Sequence, residues 1–326
     1  MATAAPSAKT STTAPLHSQS PVKTRTRLLA NICEGTERVI AAAASIMLRP
    51  MTAADRDLDG ALLLSQAVRW PYRRDDWSVA LALGQGVLVE ADGRIMASAL
   101  WWPYGDGFAT CGIIMVSPDM QGRGLGRILM ESLLTANSDR CILLNSTQEG
   151  HRLYEAFGFR DAGTVHQHQA QTPMEAAQTP LSGNDSQVRA ARPDDMPTIL
   201  RIDANAFGAE RTKLIAEFDR IGIAAVIERN GAVQGFAMCR PFGLGQAIGP
   251  IIARSAGDAQ SLIRYFLRAK AGEFLRVDIT GDSGLGDWLT AQGLPEVGNV
   301  TTMIRGMRPP VTGPERIHGL ASQSFG

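Results

Sequence analysis

The chain has 326 residues, 44% of them hydrophobic, enough for two ordinary domains with a core each. Lys+Arg and Asp+Glu both total 32, so no overall field draws it to nucleic acid or an anionic membrane, and neither partner is expected. No apolar stretch has the length of a membrane span, and Cys33, Cys111, Cys141 and Cys239 are scattered without a Cys-x-x-Cys pair. Cys111 and Cys141 fall in strand-like runs and read as buried, reduced thiols. The expectation is a soluble, cytoplasmic protein.

Residues 1–45 are dominated by Ser, Thr, Ala and Pro, and Lys9, Lys23, Arg25 and Arg27 precede the first acid, Glu34. They read as a disordered extension with a superficial likeness to an organelle transit peptide. Met47 is the expected functional start, with the preceding residues an over-extended reading frame or a dispensable tail. The first domain, 46–168, reads as strand 46–52, helix 53–67, a short helix over 75–83, and strands 86–91 and 94–103 joined at Asp92-Gly93. Strand 108–116, helix 124–137, strand 141–145, helix 150–157 and strand 164–168 complete it. Mixed strands with helices on both faces indicate an α/β (α+β) unit.

Residues 169–187, rich in Gln, Thr, Pro, Ser and Gly, read as a linker. The pattern then begins again over 188–326. Val188-Arg189-Ala190-Ala191-Arg192-Pro193 echoes Met47-Leu48-Arg49-Pro50, and Asp194-Asp195 open a helix. Strands 222–228 and 232–240 meet at Asn230-Gly231. Strand 246–252, helix 256–271, strand 274–280, helix 284–292 and strand 299–305 follow. The fold expected is two tandem domains, each a mixed, mostly antiparallel central sheet flanked by helices.

Gln121-Gly122-Arg123-Gly124-Leu125-Gly126 carries the most chemistry. It follows the strand and the turn Ser117-Pro118-Asp119, and leads into a helix marked by Leu125, Ile128, Leu129 and Leu133. A glycine turn between strand and helix aims backbone N–H groups and the positive helix end at one point, where a phosphate fits. No Gly-Lys-Ser/Thr follows, so this is not a nucleotide-hydrolysing P-loop. The alternation of glycines at 122, 124 and 126 also departs from the dinucleotide fingerprint.

Gln121-x-x-Gly124-x-Gly126, the upstream Val116-Ser117-Pro118 and the downstream Tyr154-Glu155-Ala156-Phe157-Gly158-Phe159 together resemble the GNAT superfamily of N-acetyltransferases. The whole chain is similar to the tandem GNAT proteins whose second half is a YitH-like domain. That likeness rests on Asp203-Ala204-Asn205-Ala206-Phe207-Gly208, Gly249-Pro250-Ile251-Ile252-Ala253 and the glycine-rich tail. The resemblance implies acetyl-CoA as co-substrate. Gln121, Gly122, Arg123, Gly124, Leu125 and Gly126 would hold its pyrophosphate, and the main chain of Ile114, Met115 and Val116 its pantetheine. The N–H of Val116 would face the oxyanion, and Asn145 would contact the cofactor or position it. Tyr154 occupies the place of the family's general acid.

The reaction so implied is direct acetyl transfer to a primary amine of a small molecule. The alternatives are another acyl-CoA transferase or hydrolase, or a non-catalytic acyl-CoA sensor. Asp75, Asp76, Glu90, His151 and a water chain to bulk are the candidates for the base. Trp70 is the aromatic residue assigned to the acceptor wall, where a cationic amine would meet its ring. Tyr72, Trp77, Trp101, Trp102 and Tyr104 read largely as core. Asp203 and Arg211 read as surface charges, with a reach into the cleft as the alternative. His166-x-His168 lacks a third ligand, and no metal is expected. In the second half Arg254-Ser255-Ala256-Gly257-Asp258-Ala259 replaces the glycine loop, so that half is expected to shape the acceptor cleft or an interface, including one for a homodimer, rather than to bind CoA.

Overall fold

In the computed structural model, which describes residues 46–178, 185 and 187–326, the first half runs β1 (Met47–Pro50), α1 (Asp55–Ala67), α2 (Arg74–Leu83), β2 (Gln85–Ala91), β3 (Arg94–Tyr104), β4 (Phe108–Val116), α3 (Leu125–Ala136), β5 (Cys141–Ser146), α4 (Gln148–Ala156) and β6 (Arg160–Gln171). The second half runs β7 (Val188–Ala190), α5 (Met196–Phe207), α6 (Thr212–Ile221), β8 (Ile223–Arg229), β9 (Ala232–Phe242), β10 (Gly245–Ala253), α7 (Ala256–Ala269), β11 (Phe274–Thr280), α8 (Gly286–Ala291), β12 (Glu296–Arg305) and β13 (Arg316–Gly319). The expected extension over 1–45 lies outside the described residues. So do 179–184 and 186 of the expected linker; its first three residues, 169–171, continue β6.

Local chemistry sets the frame of each half. Asp92 and Gly93 take φ of 49° and 75°, Asn230 and Gly231 of 51° and 74°. Two consecutive positive φ values are what a two-residue type I′ hairpin requires. Each half also opens on the same clamp. The Arg49 guanidinium grips Asp57 (2.7 and 2.9 Å) and Glu90 (2.9 Å). Arg189 grips Asp195 (2.6 and 2.9 Å) and Glu228 (2.6 Å). The true echo of Arg49 is therefore Arg189, three residues before the Arg192-Pro193 pair that the sequence suggests.

Burial tends to raise the Asp57 carboxyl, but hydrogen bonds from Arg49 and Thr52 hold it below its ordinary value; Arg189 does the same for Asp195. A carboxyl depressed in the folded state stabilises it above the unfolded pKa, about 3.9, and loses that contribution as pH falls through the folded value. The thermal midpoint is therefore expected to fall steeply below about pH 4. In the D57N/D195N double variant it should start lower at pH 7 and fall less. Calorimetric melts from pH 3 to 7 check this, and an equally steep fall in the variant would refute it.

The sheet breaks the simple picture of two sequential domains. Its thirteen strands lie in the order β1-β2-β3-β4-β5-β12-β6-β11-β13-β10-β9-β8-β7. β12, from the end of the second half, is inserted between β5 and β6 of the first, pairing Thr301 with Ser146 on one edge and with Thr164 on the other. β6 in turn pairs antiparallel with β11, from Thr280↔Val165 to Phe274↔Gln171. Each half thus lends a strand to the other, and Met303 of β12 is fully buried in the core that holds Tyr154, Leu144 and Phe159.

Three apolar layers result. One face carries a single core across both halves, from Leu58, Leu64 and Trp77 under α1 and α2 to Ile199, Phe207 and Phe218 under α5 and α6. On the other face α3 buries Leu125, Leu129 and Leu133 over the first half, and α7 buries Leu262, Ile263 and Phe266 over the second. Spacings of three and four residues give each helix its apolar stripe. At about 1.5–3 kcal/mol per fully buried large side chain, these stripes are the main attachment of the helices to the sheet.

Candidate active site

β4 delivers the chain to the glycine loop. Gly122 and Gly124 take φ of 72° and 79°, a region that a side chain disfavours. A Cβ on either would meet nothing within 4 Å, so the space before them is open. Gly124 is the N-cap of α3, and the first internal bond of the helix runs from Ile128 N–H to the Gly124 carbonyl (3.2 Å). The N–H groups of Leu125, Gly126 and Arg127 consequently lack intrahelical acceptors, and no acid lies in the first turn. Gln121, Gly122, Arg123 and Gly124 are exposed; the Leu125 side chain is buried. Gly126 has a different reason to be glycine, since its Cβ would lie 3.1 Å from Leu153 Cδ2 on α4.

Beside this loop the sheet opens. β4 and β5 run parallel for only three pairs, Phe108↔Cys141, Ala109↔Ile142 and Thr110↔Leu143, and then separate. On its other edge β4 bulges against β3 between Gly112 and Met115. Ile113 sits there at φ 52°, and its carbonyl accepts the Ser98 hydroxyl (2.9 Å). Ser117 N–H donates to Met96 O of β3 (2.8 Å). Successive N–H groups of an extended strand point to opposite edges, so that of Val116 points into the opening. Ile114 and Val116 are half-buried toward the face carrying α3 and α4, whereas Met115 is buried on the opposite face.

Tyr154 is buried on that α3–α4 face, its ring 6.1 Å from Phe159, and its hydroxyl makes no hydrogen bond to a described residue. The ring lies back over Gly150, where a Cβ would come within 2.9 Å of Cε2. Burial pushes the phenol up, with a smaller push from the Cys111 thiol of β4. Asn145 behaves differently. It points to the other face, where its Nδ2 donates to Gln323 O (2.8 Å) and its Oδ1 accepts the Thr302 hydroxyl (2.7 Å). Trp70, half-buried, stacks on Tyr72 at 6.1 Å. The structure thus gathers the glycine loop, the opening and Tyr154 on one face, and Asn145 and Trp70 on the other.

The candidate bases are occupied elsewhere. Glu90 belongs to the Arg49 clamp and also meets Arg56. Asp76 is held by Arg73 and by Gly243 N–H of the second half (3.0 Å). Asp75 is exposed at the start of α2. His151 bonds Asp161 (2.8 Å), which raises its pKa above the usual histidine range. Trp101 and Trp102 point to opposite faces, as adjacent strand residues must. His166 pairs with Glu296 and His168 with the Leu294 carbonyl, and no group of three metal-ligating side chains occurs among the described residues.

The reading of Asp203 and Arg211 as surface charges is overturned. They form a fully buried ion pair at 2.7 Å, and Arg211 also donates to the Phe325 and Gly326 carbonyl oxygens (3.3 and 2.6 Å). Residues 320–326 lie on the face of the opening away from Tyr154, with Phe325 and Gly326 buried. Ser324 Oγ stands 2.9 Å from where a Gly112 Cβ would be, Tyr104 donates to Phe325 O (3.0 Å), and the Phe325 ring packs edge-on to Trp102 at 4.8 Å. Arg240, buried over the Phe218 ring at 4.1 Å, reaches Ala321 O (3.3 Å), and burial pulls its pKa down to about 10. Beyond the glycine-rich tail itself, the signals for this packing are Gly112 and Gly249, whose Cβ atoms would meet Ser324 and the Leu320 backbone.

The second half repeats the opening and then closes it. β10 and β11 run parallel for three pairs and separate beyond Ile248↔Val277. β13 fills the gap, pairing Ile251, Ile252 and Ala253 on one side and Ile279 on the other. At the start of α7, Ser255 accepts the Asp258 N–H (3.1 Å), and Asp258 is bound to Arg229. The helix start is thus capped by its own Ser255 and carries an acid in its first turn, unlike the start of α3.

Two family models, each described as an acetyltransferase (GNAT) domain, match residues 83–161 and 199–319. The uncharacterized N-acetyltransferase YitH of Bacillus subtilis (strain 168) is 26% identical over 219 residues, covering 66% of this chain and 76% of that protein. A putative acetyltransferase from Pyrococcus horikoshii aligns structurally with a TM-score of 0.71 at 18% identity, over 90% of this chain and 100% of that one. A tandem GNAT protein from the clavulanic acid biosynthesis pathway aligns at 0.57 and 15% identity, over 80% and 98%. At such identities the two solved structures bear on the fold alone.

Proposed function

The chain is a tandem GNAT acyltransferase, and from that premise we propose that its first half transfers acetyl from acetyl-CoA to a primary amine of a small molecule. The observation that carries this reading is the contrast between the two openings, one free beside an exposed glycine loop, the other filled by β13. Residues 121–126 take the pyrophosphate on free N–H groups, and the edge of β4 takes the pantetheine along the opening. The amine nitrogen attacks the thioester carbon, the oxyanion is met by the Val116 N–H, and the C–S bond then breaks. Tyr154 donates its proton to the departing thiolate, the substituted ammonium gives one up to solvent, and the phenolate regains one from solvent before the next turnover. The enzyme forms no covalent intermediate and needs no metal.

Calorimetric titration with acetyl-CoA is expected to give one site per chain, and thiol release should require an added amine. Two sites per chain would contradict the filled second opening. Binding without release across amino acids, polyamines and amino sugars would favour the acyl-CoA sensor, and release without any amine would favour a hydrolase.

A further inference from the structure

The face opposite Tyr154 holds a cavity of about 640 Å³ between the two halves, large enough for a small metabolite. Its floor is the sheet surface of both halves: Asn145 of β5, Thr302 of β12 and Thr164 of β6. Asn145 lies two residues past the last β4–β5 pair, so the cavity begins on one arm of the opening. Phe207 forms a wall. The tail over 323–326 packs on the β4 arm of the opening, Ser324 against Gly112 and Gly326 beside Thr110, fixed by Asn145, Arg211 and Tyr104, and leaves the β5 arm at Asn145 facing the cavity. With Phe325 buried and its carbonyl held by two side chains, the tail is a fixed wall rather than a lid.

The rim carries charge without partners. Arg308 is exposed and makes no hydrogen bond or ion pair with a described residue. Arg316 uses only its Nη1, on the Gly313 and Glu315 carbonyls (2.8 and 2.9 Å), which leaves the rest of its fork available. Asp282 is the only acid lining the cavity, and burial lowers the pKa of His318, keeping it neutral. Arg308 and Arg316 thus place two guanidinium groups on the rim, and planar guanidinium forks match carboxylate and phosphate oxygens.

Building on the acyl-transfer reading above, we propose that this cavity is the acceptor chamber and that it takes amines which also carry an anionic group, a carboxylate or a phosphate, held by Arg308 and Arg316. The amine then extends over Asn145 toward the opening, and the second half contributes recognition in place of a second cofactor site.

The test uses two pairs that differ in the anionic group: L-lysine against cadaverine, and glucosamine 6-phosphate against glucosamine. The full chain saturated with acetyl-CoA is expected to show kcat/KM at least about tenfold higher for the anionic member of one pair or both, and which pair responds identifies the group. R308A/R316A should bring that ratio within about twofold while leaving acetyl-CoA affinity unchanged. Equal or better turnover of the neutral members, or a ratio that survives in the double variant, would overturn the proposal. The same four compounds titrated into CoA-saturated protein separate it from the transfer reading. If none is acetylated yet an anionic member binds in an arginine-dependent way, transfer fails and the chamber stands; if neither anionic member binds, the chamber fails.

Discussion

Gly124→Val is expected to weaken acetyl-CoA binding by at least about 100-fold. The left-handed backbone at φ 79° costs a residue with a Cβ about 1–2 kcal/mol, and a β-branched one more. The branch would also project into the open space before the helix, where the phosphates are proposed to sit. Losing close approach to several N–H donors removes charge-assisted hydrogen bonds that carry about 1.5–3 kcal/mol each. Two such bonds, about 3–6 kcal/mol, already exceed the roughly 2.7 kcal/mol of a 100-fold change.

Gly126→Ala is the control that separates this effect from a general intolerance of side chains. Its N–H is unchanged, and the Cβ meets only the end of Leu153 at 3.1 Å, a flexible side chain. A small loss of thermal midpoint with affinity kept within about threefold is expected. Calorimetric titration of both variants, with melts to verify folding, reads the two effects apart. Binding of acetyl-CoA by folded Gly124→Val within about threefold of the parent would remove the glycine loop from the site.

Most strands and helices and both hairpin turns were legible because periodicity and Asp-Gly or Asn-Gly dipeptides are local signals, but α6 and the four-residue β13 were missed. Partner choice was not. β12 shows the alternation that places Met303 and Ile304 on opposite faces, but nothing in that alternation says its neighbours are β5 and β6. The exposed glycine turn before α3 and the Tyr154 helix could be placed because each lies within one stretch of chain. Asn145 was legible as a polar strand end, and its tie to Gln323 depends on residues 178 positions apart. Arg211 and Arg240 are indistinguishable from surface cations in sequence; their burial follows from Phe207, Phe218 and the tail closing over them.

The closed opening of the second half clarifies why the tandem persists with one loop degraded. A backbone strand in the gap satisfies the edges of both β10 and β11, which would otherwise leave buried N–H and C=O groups unpaired. β13 takes the place that a pantetheine would take, and the same stretch of chain continues to Ser324 and Phe325 against β4. The half whose opening is filled thereby supplies both a strand, β12, and a wall to the half whose opening is free.

Tyr154→Phe is expected to lower kcat by about 10²- to 10³-fold with KM for acetyl-CoA within about twofold, since a positioned general acid contributes about 10²–10⁴. The substitution deletes one hydroxyl that has no hydrogen-bond partner among the described residues, so the ring contact with Phe159 and the packing over Gly150 survive. Stability should therefore hardly change. Burial raises the phenol above its ordinary value near 10, so it carries its proton across the whole working range. A thiolate leaving into the same apolar surroundings is raised as well, which keeps the transfer from becoming steeply unfavourable. The parent should accordingly show no alkaline loss of rate from Tyr154 up to about pH 10, and its acidic limb should follow deprotonation of the amine. Tyr154→Phe should keep that acidic limb at a uniformly lower rate. Steady-state kinetics from pH 6 to 10 decide the matter: turnover close to that of the parent would leave solvent as the proton donor and reduce Tyr154 to a packing residue.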